Sequence, residues 1–263
     1  MALPLKSPKA PWASYPVTRE GDNIIAMTQH DASSPPAILS VPRTKADAQR
    51  FYDRISRFYG WMTGAFERKH GERALNMLSI REGETILEIG TGSGHCFRQM
   101  AGLVGDSGHC CGVDISNGML KATAHTLLGS GLATRASLCC ADAAKLPFQD
   151  NSFDAILMAF TLELFDTPEI PQVLQETMRV LRPGGRIAIV SLSKEGKSST
   201  AMRLYEWAHR KWPRFADCRP IYVERSLTGC GYAAAARRKA SMAGLPVETI
   251  LAVKPDPAGL RGA

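Results

Sequence analysis

Apolar positions recur along the chain with two spacings, and the change between them predicts the layout of the protein. From residue 45 to residue 78 the large apolar side chains fall at helical spacing on both sides of Gly64, which predicts two helices. Beyond residue 83, short runs that are almost continuously apolar alternate with helical runs. The predicted strands span residues 84–89, 109–114, 136–141, 153–159 and 186–192. The predicted helices span residues 95–103, 117–130, 168–181 and 199–210.

This alternation predicts an α/β fold. Strands separated by helices are joined by right-handed crossovers into a parallel sheet. Strands that are apolar throughout are typical of a sheet buried on both faces. Two further runs, residues 234–242 and 247–253, are expected to close the sheet. We therefore predict one doubly wound domain over residues 83–255, preceded by lid helices over residues 44–82.

Composition separates the two ends from this domain. Residues 1–43 hold seven of the sixteen prolines and show little periodicity, which predicts a flexible tail. Residues 256–263 are interpreted as a second tail. The first nineteen residues carry Lys6, Lys9 and Arg19 and no acidic group, a weak transit-like signal whose amphipathic helix the prolines would break.

Bulk properties narrow the location and the partners. No run reaches the ~18–20 apolar residues of a membrane span. The seven cysteines are odd in number and show no metal-binding spacing, which favours a reducing compartment and a cytoplasmic protein without disulfides or a metal site. The net charge of +7 lies in residues 194–263, with thirteen basic and six acidic residues. A basic rim of this kind would recruit an anionic substrate, a membrane surface or nucleic acid. The alternative is that these basic side chains are scattered over an ordinary solvated surface.

A glycine-rich stretch, EIGTGSGH at residues 88–95, follows the first predicted strand. In a doubly wound sheet, ligands bind at the turn between that strand and the next helix. Gly90, Gly92 and Gly94 permit positive φ angles and leave room for a ligand against the backbone. The third glycine comes one residue earlier than in G-x-G-x-x-G, which favours a ligand without a pyrophosphate. A tight turn that packs helix on strand is the alternative.

Acidic side chains stand at the ends of the first three strands. Asp114 lies twenty residues beyond Gly94, where a carboxylate can accept both hydroxyls of a ribose. The alternative, a cap on the next helix, can be supplied by Ser116. Asp142 is placed to accept from an exocyclic adenine amine, and Ile115 and Leu146 offer apolar faces to the ring. Together with Glu88, these residues predict a nucleoside site.

Five segments in order resemble class I S-adenosylmethionine-dependent methyltransferases: ILEIGTGSGH, GVDIS, ADAAKLPF, NSFDAILMAF and VLRPGGRIAIV. The resemblance covers residues 84–192. It implies a seven-stranded, mostly parallel sheet of order 3-2-1-4-5-7-6 and S-adenosyl-L-methionine as cofactor. It also implies a set of cofactor-binding residues: Tyr59, Glu88, Gly90, Thr91, Gly92, Gly94, Asp114, Ile115, Asp142, Ala143 and Phe160. Within that set, Glu88 would hold the loop or the methionine amine, Asp114 the ribose, and Asp142 with Ala143 the adenine.

The stretch AQRFYDRISRFYGWMTGAFERKHGERAL, just upstream, resembles the entry helices of menaquinone and ubiquinone C-methyltransferases. In that family the tyrosine corresponding to Tyr59 lies near the cofactor. This chain has Gly60 where those enzymes usually have aspartate, and its C-terminal segment does not match theirs. We therefore carry over the subfamily and leave the acceptor open.

Methyl transfer from a sulfonium is an in-line displacement in which the protein aligns the reactants and excludes water. An ionisable acceptor also needs a base, for which Glu163 is a weak candidate, the alternative being an exposed carboxylate at a helix start. His70, His95 and His209 are less favoured. Apolar residues from two segments are expected to cover a hydrophobic acceptor: Phe51, Phe58, Tyr59, Trp61 and Met62, with Tyr205, Trp207 and Trp212.

The leading hypothesis is a methyltransferase that modifies carbon or oxygen of a quinone-like, phenolic or lipid-like small molecule. A second hypothesis is a protein that binds S-adenosylmethionine without methyl transfer. A nucleic-acid methyltransferase ranks lower, because the chain lacks a base-flipping PPY element. We expect no stable nucleic-acid partner and leave open a peripheral membrane contact and the oligomeric state.

Overall fold

The computed structural model describes residues 38–41, 44–195, 200–211 and 218–257, without the side chains of 60–66 and 210. The expected lid residues Trp61, Met62 and Trp212, most of the predicted first tail and residues 258–263 lie outside this description. Among the described residues no helix is long and apolar enough to cross a membrane.

One helix, α1, spans Lys45–Leu78. Thr44 caps it by accepting a hydrogen bond from the Asp47 amide. The prediction of two helices was wrong. A glycine inside a helix costs only about 0.5–1 kcal/mol, and α1 packs both on the helix that follows the second strand and on the sheet. That packing keeps the helix continuous.

A seven-stranded sheet forms the centre of the described residues, in the order β3-β2-β1-β4-β5-β7-β6. The strands are β1 Thr85–Ile89, β2 His109–Asp114, β3 Ala136–Cys140, β4 Phe153–Ala159, β5 Leu181–Leu192, β6 Ala233–Met242 and β7 Leu245–Val253. The first five are parallel, and β7 runs antiparallel to both β5 and β6. The predicted fold class and strand order are confirmed.

The remaining helices cover the two faces of this sheet. They are α2 His95–Leu103, α3 Asn117–Leu127, α4 Ile170–Val180, α5 Thr200–Lys211 and α6 Val223–Gly229. A 3-10 turn, Leu162–Leu164, follows β4. No helix was predicted over the residues of α6. The predicted end of α3 at residue 130 was three residues late, because Gly129 takes a φ of 73° just after the helix.

Two apolar clusters, one on each face, hold these layers together. Ile187 and Ile189 of β5 belong to the cluster that includes α4 and α6. Ala188 and Val190, which point the other way, belong to the cluster with α1 and α2. Buried Arg186 fixes the end of α1 by donating to the Leu78 carbonyl at 2.5 Å. A cation at a helix C-terminus is favourable, so α1 is held firmly against the sheet.

Candidate functional site

The glycine loop connects β1 to α2 at the carboxyl edge of the sheet. Gly90, Gly92 and Gly94 have φ angles of 77°, 51° and 80°, a region that side chains rarely adopt. A Cβ on Gly90 would lie 2.3 Å from Thr161 Oγ1, and one on Gly94 would lie 2.8 Å from Thr123 Cα. Protein packing therefore also requires these two glycines, as the tight-turn alternative supposed.

Gly92 differs from its two neighbours. A Cβ there would meet only the Tyr59 ring, at an ordinary contact distance of 3.5 Å. Both Gly92 and Tyr59 line a pocket above the sheet edge. Ten of the eleven expected cofactor residues line that pocket: Tyr59, Glu88, Gly90, Thr91, Gly92, Asp114, Ile115, Asp142, Ala143 and Phe160. Gly94 is instead the N-cap of α2, and Leu146, expected beside adenine, is buried in the core.

Asp114, the last residue of β2, lines the pocket. Its Oδ2 accepts from the Gly92 amide at 3.3 Å and its Oδ1 from the Ser116 amide at 2.9 Å. Burial raises the pKa of Asp114 to about 6. Ser116 caps α3 by accepting from the Met119 amide at 3.1 Å. Ser116 rather than Asp114 therefore caps the helix, and the Asp114 carboxylate faces the pocket.

Glu88 contributes a second carboxyl group. It is only 2% exposed, and its Oε2 has no hydrogen-bond partner among the described residues. Burial, followed by the charge of Asp114, raises its pKa well above the ordinary value. A buried acceptor without a partner costs stability unless a ligand satisfies it. The arrangement therefore suits a ligand that brings a cationic donor.

Asp142 stands at the other end, beyond β3. Its Oδ1 accepts from the Ala144 amide at 2.9 Å, and its Oδ2 lies 2.6 Å from Lys45 Nζ. Lys45 Nζ also lies 3.0 Å from Glu169 Oε1. Lys45 is the first residue of α1, so this ion pair ties the start of the helix to the pocket. No pattern in the sequence pointed to Lys45, to Glu169 or to this ion pair.

The segment before α1 also reaches the pocket. Val41 lines it and donates its amide to Asp166 Oδ1 at 3.1 Å. The Leu39 carbonyl accepts from Arg219 Nη1 at 3.0 Å, and Arg219 also donates to Thr167 Oγ1 at 3.0 Å. The Arg219 side chain is fully buried, and burial lowers its pKa. These contacts fix the described part of the predicted tail beside the site.

Two tyrosines of α1 form the wall opposite the sheet. Tyr52 and Tyr59, seven residues apart, line the pocket and meet edge to face at 6.1 Å. Phe58, expected in the lid, is 64% exposed and does not line the pocket. The helical stripe of Lys45, Ala48, Tyr52 and Tyr59 would have identified this face, because these positions recur at intervals of three, four and seven.

Further polar residues complete the wall. Glu67 and Arg68 of α1, which the sequence did not single out, line the pocket with Thr161, which follows β4. His95, one of the less favoured candidate bases, also lines the pocket, and its Nε2 lies 3.1 Å from Glu72 Oε1.

Phe160 takes a φ of 51°, a left-handed conformation that costs a phenylalanine of order 1–3 kcal/mol. Strain of this kind is common at ligand sites.

Glu163, the candidate base, is fully buried in the 3-10 turn. Its Oε1 accepts from the Leu192 amide at 3.4 Å, and its Oε2 has no partner among the described residues. Burial raises the pKa of Glu163 to about 8. Neighbouring Thr161 and Leu164 line the pocket, but Glu163 does not. The alternative of an exposed carboxylate at a helix start was wrong.

The other two histidines considered as candidate bases, His70 and His209, do not line the pocket. His70 is buried on α1 and meets Phe160 edge to face at 6.1 Å, and burial lowers its pKa. His209 is buried on α5. The structure therefore brings neither imidazole to the pocket, although His70 packs against the strained Phe160.

Comparison with known families identifies the central segment. Residues 86–185 match the family described as a methyltransferase domain. The ubiquinone/menaquinone biosynthesis C-methyltransferase UbiE of Pseudomonas paraeruginosa is 36% identical over 137 residues, 52% of this chain and 53% of that protein. UbiE of Azotobacter vinelandii is 37% identical over 133 residues, 51% and 52% of the two chains. The chain spans about half the length of these curated relatives. The predicted resemblance is confirmed.

Solved structures agree on the fold. The [4+2]-cyclase SpnF superposes with a TM-score of 0.66 at 17% identity, covering 83% of this chain and 98% of that one. A SAM dependent methyltransferase from Aquifex aeolicus gives a TM-score of 0.53 at 24% identity, covering 70% and 88%. At these identities the likeness shows the fold alone.

Proposed function

We propose that this chain, whose residues 86–185 match a methyltransferase domain, transfers the methyl group of S-adenosyl-L-methionine to a hydrophobic small molecule. One observation carries the proposal. Carboxyl groups from the ends of three neighbouring strands, Glu88, Asp114 and Asp142, line a single pocket beside the glycine loop. Their order in the sheet matches the amine, the ribose and the adenine of that cofactor.

The residues present fit this cofactor. The Glu88 oxygen that lacks a partner among the described residues would accept from the methionine ammonium, and Asp114 would accept from the ribose hydroxyls. Asp142 would accept from the adenine amine while it shares an oxygen with Lys45. Arg68 would offer its guanidinium to the methionine carboxylate. When bound, the cofactor supplies an electrophilic methyl group on a sulfonium.

The chain's own contribution is alignment and exclusion of water. Tyr52 and Tyr59 on α1, with Phe160, Leu164 and Phe165 from the segment after β4, give the pocket an apolar wall. Such a wall favours a flat or prenylated acceptor over a charged one. The names of the UbiE relatives make a quinone-type ring the first acceptor to try, with carbon or oxygen as the methylated atom.

Cofactor binding can be tested by calorimetry with S-adenosylmethionine and S-adenosylhomocysteine. Asp114→Asn removes a charged acceptor of two hydroxyl hydrogen bonds, so affinity should fall about ten- to a thousandfold. Asp106→Asn, at a 91% exposed side chain on the opposite edge of the sheet, is the matched control and should bind normally. No heat with either ligand, or equal binding by both variants, would refute the site.

Methyl transfer needs a separate measurement. Quinone, phenol and lipid extracts would be incubated with the protein and labelled cofactor, and mass spectrometry would report any acceptor that gains one methyl group. Glu163→Gln tests the candidate base in the same assay. If Glu163 removes a proton from the acceptor, Glu163→Gln should lose most of the rate of methyl transfer while its affinity for the cofactor stays unchanged.

The second candidate is a protein that binds the cofactor without using its methyl group. The superposition with a structure titled as a cyclase favours keeping it, because the same fold serves another reaction there. Tight binding in calorimetry, together with incubations with the acceptor extracts that release no S-adenosylhomocysteine, would support this candidate over the first.

A further inference from the structure

Helix α5 has a fixed orientation. Met202 and His209 are each 3% exposed and face the protein, and the Tyr205 hydroxyl donates to the Cys218 carbonyl at 2.7 Å. Glu206 forms an ion pair with Lys194, just beyond β5. Contacts from successive turns therefore define which side of α5 faces inward and which side faces solvent.

The outward side combines apolar and basic residues. Leu204 is 64% exposed and Trp207, one turn later, is 45% exposed. The exposed side chains of Arg203 and Lys211 flank them, and Lys211 Nζ lies 5.4 Å from the centre of the Trp207 ring. Among the described residues, large apolar side chains this exposed are few, and here two of them share one helix face.

We propose that this face of α5 docks on an anionic lipid surface. A helix with a packed inner side, exposed leucine and tryptophan, and flanking cations has the composition of helices that lie in the membrane interface. Tryptophan favours the headgroup level, leucine reaches the acyl chains, and arginine and lysine pair with lipid phosphates. The excess of thirteen basic over six acidic residues in 194–263 adds attraction of the same sign.

Other occupants fit this face less well. A nucleic acid would pair with the cations but would leave Leu204 exposed to water. A second copy of the chain would bring Arg203 and Lys211 against their own counterparts, where like charges repel. A lipid surface satisfies the apolar and the basic residues together.

The position of the face also suits the proposed function, although the docking itself does not depend on it. Lys194, which anchors α5, lies just beyond the carboxyl end of β5. That is the same sheet edge along which β1 to β4 present the pocket. A hydrophobic acceptor dissolved in a bilayer would therefore meet the protein at the edge that carries the site.

Vesicle co-sedimentation of the full chain, without cofactor or acceptor, tests the docking. Phosphatidylcholine vesicles, alone or with added phosphatidylglycerol, are the probe. Binding is expected to the anionic vesicles, and added salt should weaken it. Arg203→Gln and Lys211→Gln should each reduce binding about fivefold.

Paired apolar variants give the sharper comparison. Leu204→Ser with Trp207→Ser should reduce binding to anionic vesicles about tenfold or more, since both side chains lose their apolar insertion. The matched control is Leu103→Ser with Leu128→Ser, which should stay within about twofold. Leu103 is the last residue of α2 and Leu128 directly follows α3, both on the opposite sheet edge, and their side chains are 49% and 72% exposed. Thermal melts check that both pairs fold.

Three outcomes would overturn the proposal. The first is no sedimentation with anionic vesicles, and the second is an equal loss in the test and control pairs. The third is a dimer in size-exclusion chromatography that the Leu204 and Trp207 changes dissociate, which would assign the face to self-association. Because neither cofactor nor acceptor is present, these outcomes are independent of methyl transfer.

Discussion

Replacing Gly90 by alanine tests how the glycine loop packs on the segment after β4. The new Cβ would lie 2.3 Å from Thr161 Oγ1 and 2.6 Å from Thr161 Cγ2, at a φ of 77°. The left-handed conformation costs about 1–2 kcal/mol, and overpacking a rigid site costs about 1–3 kcal/mol more. The free energy of unfolding should therefore fall by about 2–5 kcal/mol.

Gly92→Ala is the matched control. Its φ of 51° carries the same conformational penalty, but its nearest neighbour, Tyr59 Cε1, lies at a comfortable 3.5 Å. Only about 1–2 kcal/mol should be lost. Urea unfolding followed by circular dichroism without ligand measures both values. In thermal melts each kcal/mol corresponds to about 2–4 °C for a chain of this size.

A double-mutant cycle isolates the contact. Thr161→Ala removes the two closest atoms and leaves Cβ at 3.0 Å from the new methyl group. The double variant Gly90→Ala/Thr161→Ala should be more stable than the sum of the single effects predicts, by about 1 kcal/mol or more. Additive effects, or equal losses at Gly90 and Gly92, would show that packing against Thr161 is not the reason for the glycine.

Three further predictions concern buried charges. Burial raises the pKa of Asp114 to about 6, so the unfolded chain releases this proton first as pH rises. Between about pH 4 and pH 6 the free energy of unfolding should therefore fall by about 3 kcal/mol, and this fall should be absent in Asp114→Asn, as urea midpoints would show. Burial raises the pKa of Glu163 to about 8, so Glu163→Gln should abolish a similar decline between about pH 5 and pH 8, and an unchanged pH profile would contradict its burial. Arg219→Met removes donors to the Leu39 carbonyl and Thr167, and should lower the melting temperature by about 5–10 °C; a shift within error would show that this arginine does not hold the segment before α1.

Strand positions were predictable because burial on both faces leaves a continuous apolar run. The prediction for β1 was one residue too long at its start, and that for β4 matched. β5 begins at Leu181, five residues before the prediction, since the Pro-Gly-Gly sequence indicates a turn. The structure accommodates these residues through a register shift between Phe153 and Ala155. A local signal cannot anticipate such an irregularity, because it depends on the neighbouring strand.

The candidate site also contains residues that could be predicted from sequence and residues that could not. Glu88, Asp114 and Asp142 could be placed from sequence, since each lies within two residues of the carboxyl end of a strand. Lys45 and Arg68 could not, because their approach depends on where a continuous α1 crosses the edge of the sheet. The burial of Glu163 likewise depends on long-range packing, because the residue that donates to its carboxyl group is Leu192 at the end of the next strand, β5.

The position of β7 has a consequence for how the chain is made. This last strand, Leu245–Val253, inserts between β5 and β6, so β5 keeps an unpaired edge until the C-terminal hairpin has been synthesised. Unpaired edges of apolar strands recruit other chains. Nascent or truncated polypeptides that stop before residue 245 would therefore aggregate through β5, even though every strand that lines the pocket is already complete.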